Sequence, residues 1–375
     1  MPAPLIIGGG PAGAAAAALI AGAGRPVTLV ERNAGPADKL CGDFLSGGAI
    51  AALHALGLDP LAMGAMPART IRLVHRQTAA EAGLPFPATG LSRRSLDEAL
   101  LCLAEQRGAT VLRGQAVRGL ERTSSGLAVR TATAGMLTAD TVFLATGKHD
   151  LRNLPRPPRA DGLLGLKMYY ALAPDQRAAL HGCIDLILLR GGYAGLQLVE
   201  NDRAILCLLV PARRYRQAGG NWDSLLDGLA GEAPHLTRRL AGATPCLARP
   251  LAIAGTPYGH LHRSERHAPP DLFRLGDQAC VVPSLAGDGM AIALQSAIAA
   301  TTVWLGGGTA ADYHAGFARK ASAPLRFASL IHFASRTPAL QPVLAAACRA
   351  WPATLGLAAR LTRVARATQV DEVEG

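Results

Sequence analysis

Apolar and polar positions along this chain switch between two periods, and the switches mark its elements. Ala3 to Ile7 is a short apolar run that reads as a buried strand, Pro11 to Ala21 as an Ala-rich helix, and Val27 to Glu31 as the next strand. Together they predict a βαβ unit at the start of the chain. Asn33 to Gly48 reads as a loop, Ala49 to Leu56 as a helix and Thr70 to His75 as a strand. Ser95 to Arg107 sets Leu96, Leu100, Leu101 and Leu103 on or near one face of a helix. From Thr110 to Leu144 strands alternate with turns, and the stretch closes on Val142, Phe143, Leu144, Ala145, Thr146 and Gly147. After a Pro-rich break from Leu154 to Pro158, Leu163 to Val210 reads as strands. Leu272 to Leu275 is one more strand, followed by a Gly-rich turn and a helix from Met290 to Trp304. The remainder is helical, with Pro324, Pro338, Pro342 and Pro352 dividing it. No repeat of domain scale is present.

Composition narrows the class. Half of the 375 residues are hydrophobic and 17% are charged, enough for a sizeable core and too apolar for wholesale disorder. The uncharged stretch from Pro2 to Gly24 lacks the basic start of a targeting segment. No run of about 18 apolar residues appears either, so a cytoplasmic location is expected. Seven scattered cysteines with no CxxC pair argue against disulfides and a structural zinc, and no His/Cys/Asp/Glu cluster has metal-ligand spacing. The net charge of +11 comes with 4% aromatics and no dense basic run, which excludes a nucleic-acid surface. Only four of the 38 basic residues are lysines, Lys39, Lys148, Lys167 and Lys320, so the excess is read as Arg-rich genome composition. One asymmetry stays open. Between Asp312 and Asp371 there is no acid, while Arg319, Lys320, Arg326, Arg336, Arg349, Arg360, Arg363 and Arg366 are basic. They are either solvated helix faces or a weak contact for a membrane surface or an acidic partner.

Two segments carry chemistry. Gly8, Gly10 and Gly13 match G-x-G-x-x-G after a strand and at the opening of a helix, with Pro11 and Ala12 between them. The glycines allow the tight turn, the approach of backbone amides to a pyrophosphate and close helix–strand packing. Glu31 follows at the end of the next strand, where an acid binds ribose hydroxyls, so FAD or NAD is favoured over NADP. The second segment runs Leu275-Gly276-Asp277-Gln278-Ala279, then Pro283 and Gly287-Asp288-Gly289-Met290 before a helix. Asp277 can accept from a ribityl hydroxyl. The Gly287 and Gly289 amides at a helix start can face the flavin edge that gains negative charge on reduction. A plain NAD dehydrogenase needs no such second segment, so FAD is the expected cofactor, with a plain strand–turn–helix as the segment's alternative reading.

With these residues the sequence resembles the FAD-dependent oxidoreductases of the p-hydroxybenzoate hydroxylase-like fold, a superfamily of aromatic hydroxylases, geranylgeranyl reductases and flavin halogenases. The resemblance covers roughly residues 3 to 305. It rests on the fingerprint with Glu31-Arg32, on Leu91-Ser92-Arg93 before Leu96-Asp97, and on Gly276-Asp277 through Met290. It implies Arg93 near the FAD phosphates or ribose and the Val117 backbone at the adenine. The chain departs from the hydroxylase branch at Thr146-Gly147, where that branch has Asp-Gly, and at Cys280, where it has histidine. Both departures argue against hydroxylase-type use of NAD(P)H. Lys39-Leu40-Cys41-Gly42 is similar to the Lys-Pro-Cys-Gly loop of the reductase branch, whose cysteine lies by the flavin. The tryptophan-rich halogenase signature is absent.

The resemblance implies an α/β architecture: a Rossmann-type FAD-binding domain from residues 1–60, 91–150 and 265–310, a β-rich substrate domain from 61–90 and 151–264, and a helical region from 311–375. Gly42 and Gly147 join the residues above as FAD contacts. Cys41 is the catalytic candidate, with a plain buried loop cysteine as its alternative. Lys39 and Tyr193 are placed toward substrate, Tyr193 having a structural turn as its alternative, and His149 with Asp150 is either a catalytic pair or a turn cap. The expected function is reduction or dehydrogenation of a small lipophilic or aromatic molecule through flavin N5, with NAD(P)H or a protein as electron donor. The alternatives are a monooxygenase, which needs a dry pocket for a flavin hydroperoxide, and a non-enzymatic lipid carrier on the same fold.

Overall fold

The computed structural model describes residues 3–124, 126–157, 162–263 and 271–364; Arg366 of the basic run lies outside them. Five short strands form one parallel sheet in the order Leu272–Arg274, Val142–Leu144, Leu5–Ile7, Thr28–Val30, Thr110–Leu112. They are almost wholly apolar because helices cover the sheet. The helix Pro11–Gly22 is so rich in alanine that it packs closely between Arg93–Gln106 and Gly289–Leu305. A three-stranded antiparallel meander, Val117–Thr123, Gly126–Thr131 and Met136–Ala139, covers the other side.

A second, nine-stranded mixed sheet faces this unit. Its centre is Leu163–Ala171, Arg203–Pro211, Gly192–Val199 and Cys183–Leu189, paired antiparallel, with Met66–His75 added parallel to the last. Helices Trp222–Ala230 and Pro234–Arg239 bury one face of it, including Trp222, Leu225 and Leu229. Three final helices, Ala310–Arg336, Gln341–Ala350 and Ala353–Leu361, also lie against this sheet.

The structure differs from the sequence expectation at four places. Thr78–Gly90 is a 13-residue strand although it holds Pro85 and Pro87. Both prolines fall in an irregularity of its pairing with Met66–His75, where the register steps from Ala68–Ala88 to Thr70–Gly83 and residues 84–87 have no ladder partner, so a missing N–H costs no bond. Phe44–Leu45, which pairs with Thr89 and Gly90, was expected as loop. The helix Pro174–Leu180 interrupts the run expected as strands. Finally, Pro324 does not divide the tail: Ala310–Arg336 runs through it for 27 residues, held by the buried side chains of Tyr313, Phe317, Leu325 and Ala328.

Candidate FAD and substrate site

The two sheets and the final helices enclose a cavity of about 540 Å³. At one end stand the starts of two helices. Pro11–Gly22 begins after Gly10 with no capping side chain and no acid in its first turn, and Gly289–Leu305 begins after Asp288 in the same way. Gly10, Pro11, Ala12, Gly276, Asp277, Gly287, Gly289 and Met290 all line the cavity, so two sets of unpaired helical N–H groups converge there. The turn that aims the first set needs its glycines. A Cβ on Gly13 would lie 1.9 Å from the Gly8 carbonyl oxygen, and one on Gly8, at φ +105°, would lie 2.5 Å from that of Ala145.

Two cations stand in the same wall, Arg93 and Lys148. Arg93 is held bidentate by Asp97, at 2.6 and 2.7 Å. Ser92, before it, caps its helix and is gripped by the buried Glu200 through its amide and hydroxyl. Lys148 reaches Asp277 at 3.2 Å, and that carboxylate holds the ammonium above its ordinary value. A ribityl hydroxyl at Asp277 would share that carboxylate with Lys148. The donor set fits FAD: helix N-termini and Arg93 for the pyrophosphate, Asp277 for the ribityl chain, and the Gly287–Gly289 turn for the flavin edge.

Glu31 is buried behind the fingerprint. It accepts from the Gly9 amide at 2.7 Å and the Asn33 amide at 3.0 Å. Burial pushes its carboxyl up, but Lys39 and these amides outweigh that, so it lies below its ordinary value. Lys39, expected toward substrate, has its ammonium 3.5 Å from Glu31 and lies outside the cavity wall. Arg32, Val117 and Pro283 also lie outside that wall, and the Arg32 guanidinium contacts the His149 ring at 3.0 Å. His149 and Asp150 form no catalytic pair, since Asp150 is engaged by Arg156 at 2.7 Å and by Gln278 at 3.2 Å. The Asp288 side chain is likewise turned away from the cavity. It accepts from Ser46, from the Arg363 guanidinium and from the Val364 amide, all within 3.0 Å.

Cys41 and Gly42 lie in the cavity wall. Their loop is pinned to three adjacent strands through its carbonyls. The Lys39 carbonyl accepts from the Lys167 ammonium at 2.9 Å, that of Cys41 from the Cys207 thiol at 3.2 Å, and that of Gly42 from the Gln197 amide at 2.8 Å. Asp43, at φ +52°, then turns inward to a fully buried cluster in which Lys167, at 2.7 Å, and the Tyr169 hydroxyl donate to Oδ2. Sequence reading missed Lys148, Lys167, Tyr169, Gln197 and Glu200. The available signal was the rarity of lysine, because three of the four lysines meet at this site.

Tyr193 does line the cavity, but its hydroxyl accepts from the Leu285 amide at 2.9 Å and bonds Ser284 at 2.6 Å. It braces the turn before Gly287 and offers substrate only its ring. Past Tyr193 the cavity becomes aliphatic. Ile71, Leu73, Leu84, Ile184, Leu186 and Leu188 come from the sheet, and Phe327, Ile331, Leu344, Ala347, Leu355 and Ala358 from the final helices. Of the charged side chains in the wall, Arg93, Lys148 and Asp277 belong to the cofactor end, and Arg363, just past the last helix, is neutralised by its bond to Asp288.

Comparison with known proteins agrees with this geometry. Residues 3–140 match the FAD binding domain family. Over 126 residues the chain is 36% identical to a menaquinone reductase of Mycobacterium tuberculosis, covering 32% of this chain and 31% of the relative. Over 127 residues it is 35% identical to that of Mycolicibacterium smegmatis, covering the same shares. The match thus spans about a third of the curated relatives' length. Among solved structures, the flavin-dependent brominase Bmp2 has a TM-score of 0.78 at 16% identity, over 96% of this chain and 93% of that one. PqsL of Pseudomonas aeruginosa, described as a probable FAD-dependent monooxygenase, has 0.65 at 20% identity over 96% of both. At such identities the likeness is one of fold: the chain carries an FAD-binding domain within the architecture these flavin enzymes share.

Proposed function

We propose that this FAD-binding chain is an oxidoreductase that reduces a double bond or quinone ring in a lipophilic molecule with an aliphatic tail. The observation that carries the reading is the single cavity that joins the cofactor cradle to an uncharged aliphatic chamber. An aromatic acid would leave its carboxylate unpaired in that chamber, at a cost of several kcal/mol, whereas an isoprenoid or acyl tail gains about 25 cal/mol per Å² of apolar surface buried. The partial identity to menaquinone reductases supports the same class. Reduced FAD, when bound, supplies two electrons and one hydrogen to the substrate. The second hydrogen arrives as a proton, for which the Cys41 thiol is the candidate donor. Arg93 and Lys148 stand in the same cavity wall as Cys41. The sheet and the final helices hold the tail and exclude water, and the pinned loop fixes the thiol in the wall.

The test is anaerobic. The purified yellow protein is photoreduced and mixed with menadione or a short-chain menaquinone, and the flavin absorbance is followed. Its return without oxygen supports the reading. A reduced protein that reoxidises only in air, with oxygen appearing in the product, makes the chain a monooxygenase. A protein that retains no FAD makes it a lipid carrier.

A further inference from the structure

The last three helices carry most of the exposed apolar bulk of the described residues. Of the ten large apolar side chains exposed among the described residues, seven lie between positions 330 and 361, among them Leu330 and Phe333 (61%), Val343 (65%), Trp351 (68%) and Leu357. A monomeric soluble surface seldom gathers so many on one unit. These helices contact one another and lie against Met66–His75 and Thr78–Gly90. Their charge is of one sign. No acid occurs between Asp312 and Asp371, while Arg319, Lys320, Arg326, Arg349 and Arg360 are exposed and engage in no ion pair among the described residues.

The same helices wall the aliphatic chamber. Leu357 is 55% exposed and also lines the cavity, and Phe327 and Ile331 line it one turn or less from Leu330 and Phe333. The greasy outer surface and the greasy interior are therefore two sides of one helical layer. None of these helices is long and apolar enough to cross a membrane. Short basic helices with exposed Trp, Phe and Leu lie in the plane of a bilayer interface, their apolar side chains in the acyl boundary and their cations at anionic headgroups. A second copy of the chain is a poor occupant, because a two-fold contact would set the two acid-free basic faces against each other.

We propose that the face formed by Ala310–Arg336, Gln341–Ala350 and Ala353–Leu361 docks on bilayers containing anionic phospholipid, and that apolar ligands enter the chamber from the bilayer past Leu357. The docking surface stands whether or not the reductase reading does.

The experiment is co-sedimentation of the full-length, FAD-loaded protein with vesicles of phosphatidylcholine alone or with about 30% phosphatidylglycerol. Binding to the anionic vesicles, weakened by salt, is expected. Val343→Ser with Trp351→Ser should weaken it at least about tenfold, and Arg349→Glu with Arg360→Glu by a similar factor. Both double variants should keep bound FAD and the wild-type circular dichroism, since all four side chains are exposed and outside the cavity wall. No binding to anionic vesicles overturns the proposal. So does binding that Val343→Ser/Trp351→Ser leaves unchanged, which would be surface adhesion by charge alone. A dimer that this variant dissolves would assign the face to a second copy, and capture of an acidic protein with no vesicle binding would assign it to that partner.

Discussion

Lys167→Met tests how the loop of Cys41 is held. Lys167 is fully buried, 2.7 Å from Asp43 Oδ2, 2.9 Å from the Lys39 carbonyl and 4.5 Å from the centre of the Tyr169 ring. Methionine keeps most of the volume and removes the charge. Burial pushes the Asp43 carboxyl above its ordinary range, and Lys167 counters that push. Asp43 Oδ1 has no hydrogen-bond partner, so only Tyr169 would remain on the carboxylate. Breaking a buried pair from one side costs about 3–5 kcal/mol, of which the orphaned Lys39 carbonyl accounts for about 1–3 kcal/mol. A loss of about 3–5 kcal/mol is therefore expected near neutral pH. In the variant the folded carboxyl titrates above its unfolded value, so the folded state binds more protons between the two and the loss shrinks as pH falls toward the unfolded pKa. Asp43→Asn added to Lys167→Met should restore most of the stability, because asparagine tolerates φ +52° and still accepts from Tyr169. The assay is urea unfolding of the four members of the cycle, followed by flavin and tryptophan fluorescence. A coupling energy of at least about 2 kcal/mol is expected. A single variant within about 1 kcal/mol of wild type, or a double variant no better than the single, refutes the argument.

Four further outcomes are expected. Gly10→Val should abolish FAD binding while circular dichroism stays normal, because even a Cβ at that position lies 3.1 Å from Arg93 Nη2 at the cofactor end. Glu31→Ala should weaken FAD by about 1.5–3 kcal/mol, the scale of hydrogen bonds to a charged acceptor; a titration showing unchanged affinity removes Glu31 from the ribose site. Cys41→Ser should stay yellow and folded but lose anaerobic turnover, since a hydroxyl is far less acidic than a thiol of reference pKa about 8.5; wild-type turnover would exclude the thiol as donor. His314, whose Nε2 accepts from the Arg274 amide, is lowered by burial to about 3, so below about pH 6.5 the unfolded state binds the extra proton and stability falls with pH. In His314→Gln the melting temperature should fall less between about pH 6.5 and 4 than in wild type.

The parts of the site legible in the sequence are those built from neighbours in the chain. The fingerprint, the Gly276–Asp277 segment and the Gly287–Gly289 turn announce themselves because turn chemistry is local. What escaped is built across the fold: Lys167 and Asp43 are 124 residues apart, Glu200 and Ser92 are 108, and no period links such pairs. The lysine count held the one clue. In a chain where arginine dominates, a compact ammonium survives where a planar guanidinium does not fit the task. The strand Thr78–Gly90 escaped for a different reason, since alanine, glycine and proline suppress the alternation by which a strand is recognised, and a bulge in its pairing accommodates the prolines.

The clasp on Asp288 bears on how the protein is made. Its carboxylate is buried with Ser46, the Arg363 guanidinium and the Val364 amide as partners. Two of the three come from the extreme end of the described chain. During synthesis the dinucleotide half of the site, built from the first 150 or so residues, can assemble while the ribosome is still at work. The flavin half cannot settle in the same way: until Val364 has emerged, Asp288 is an acid without its cation, and the Gly287–Gly289 turn lacks its anchor. Cofactor capture thus waits for Arg363 and Val364 to emerge, and a nascent chain stopped short of Arg363 should be released without a finished flavin seat.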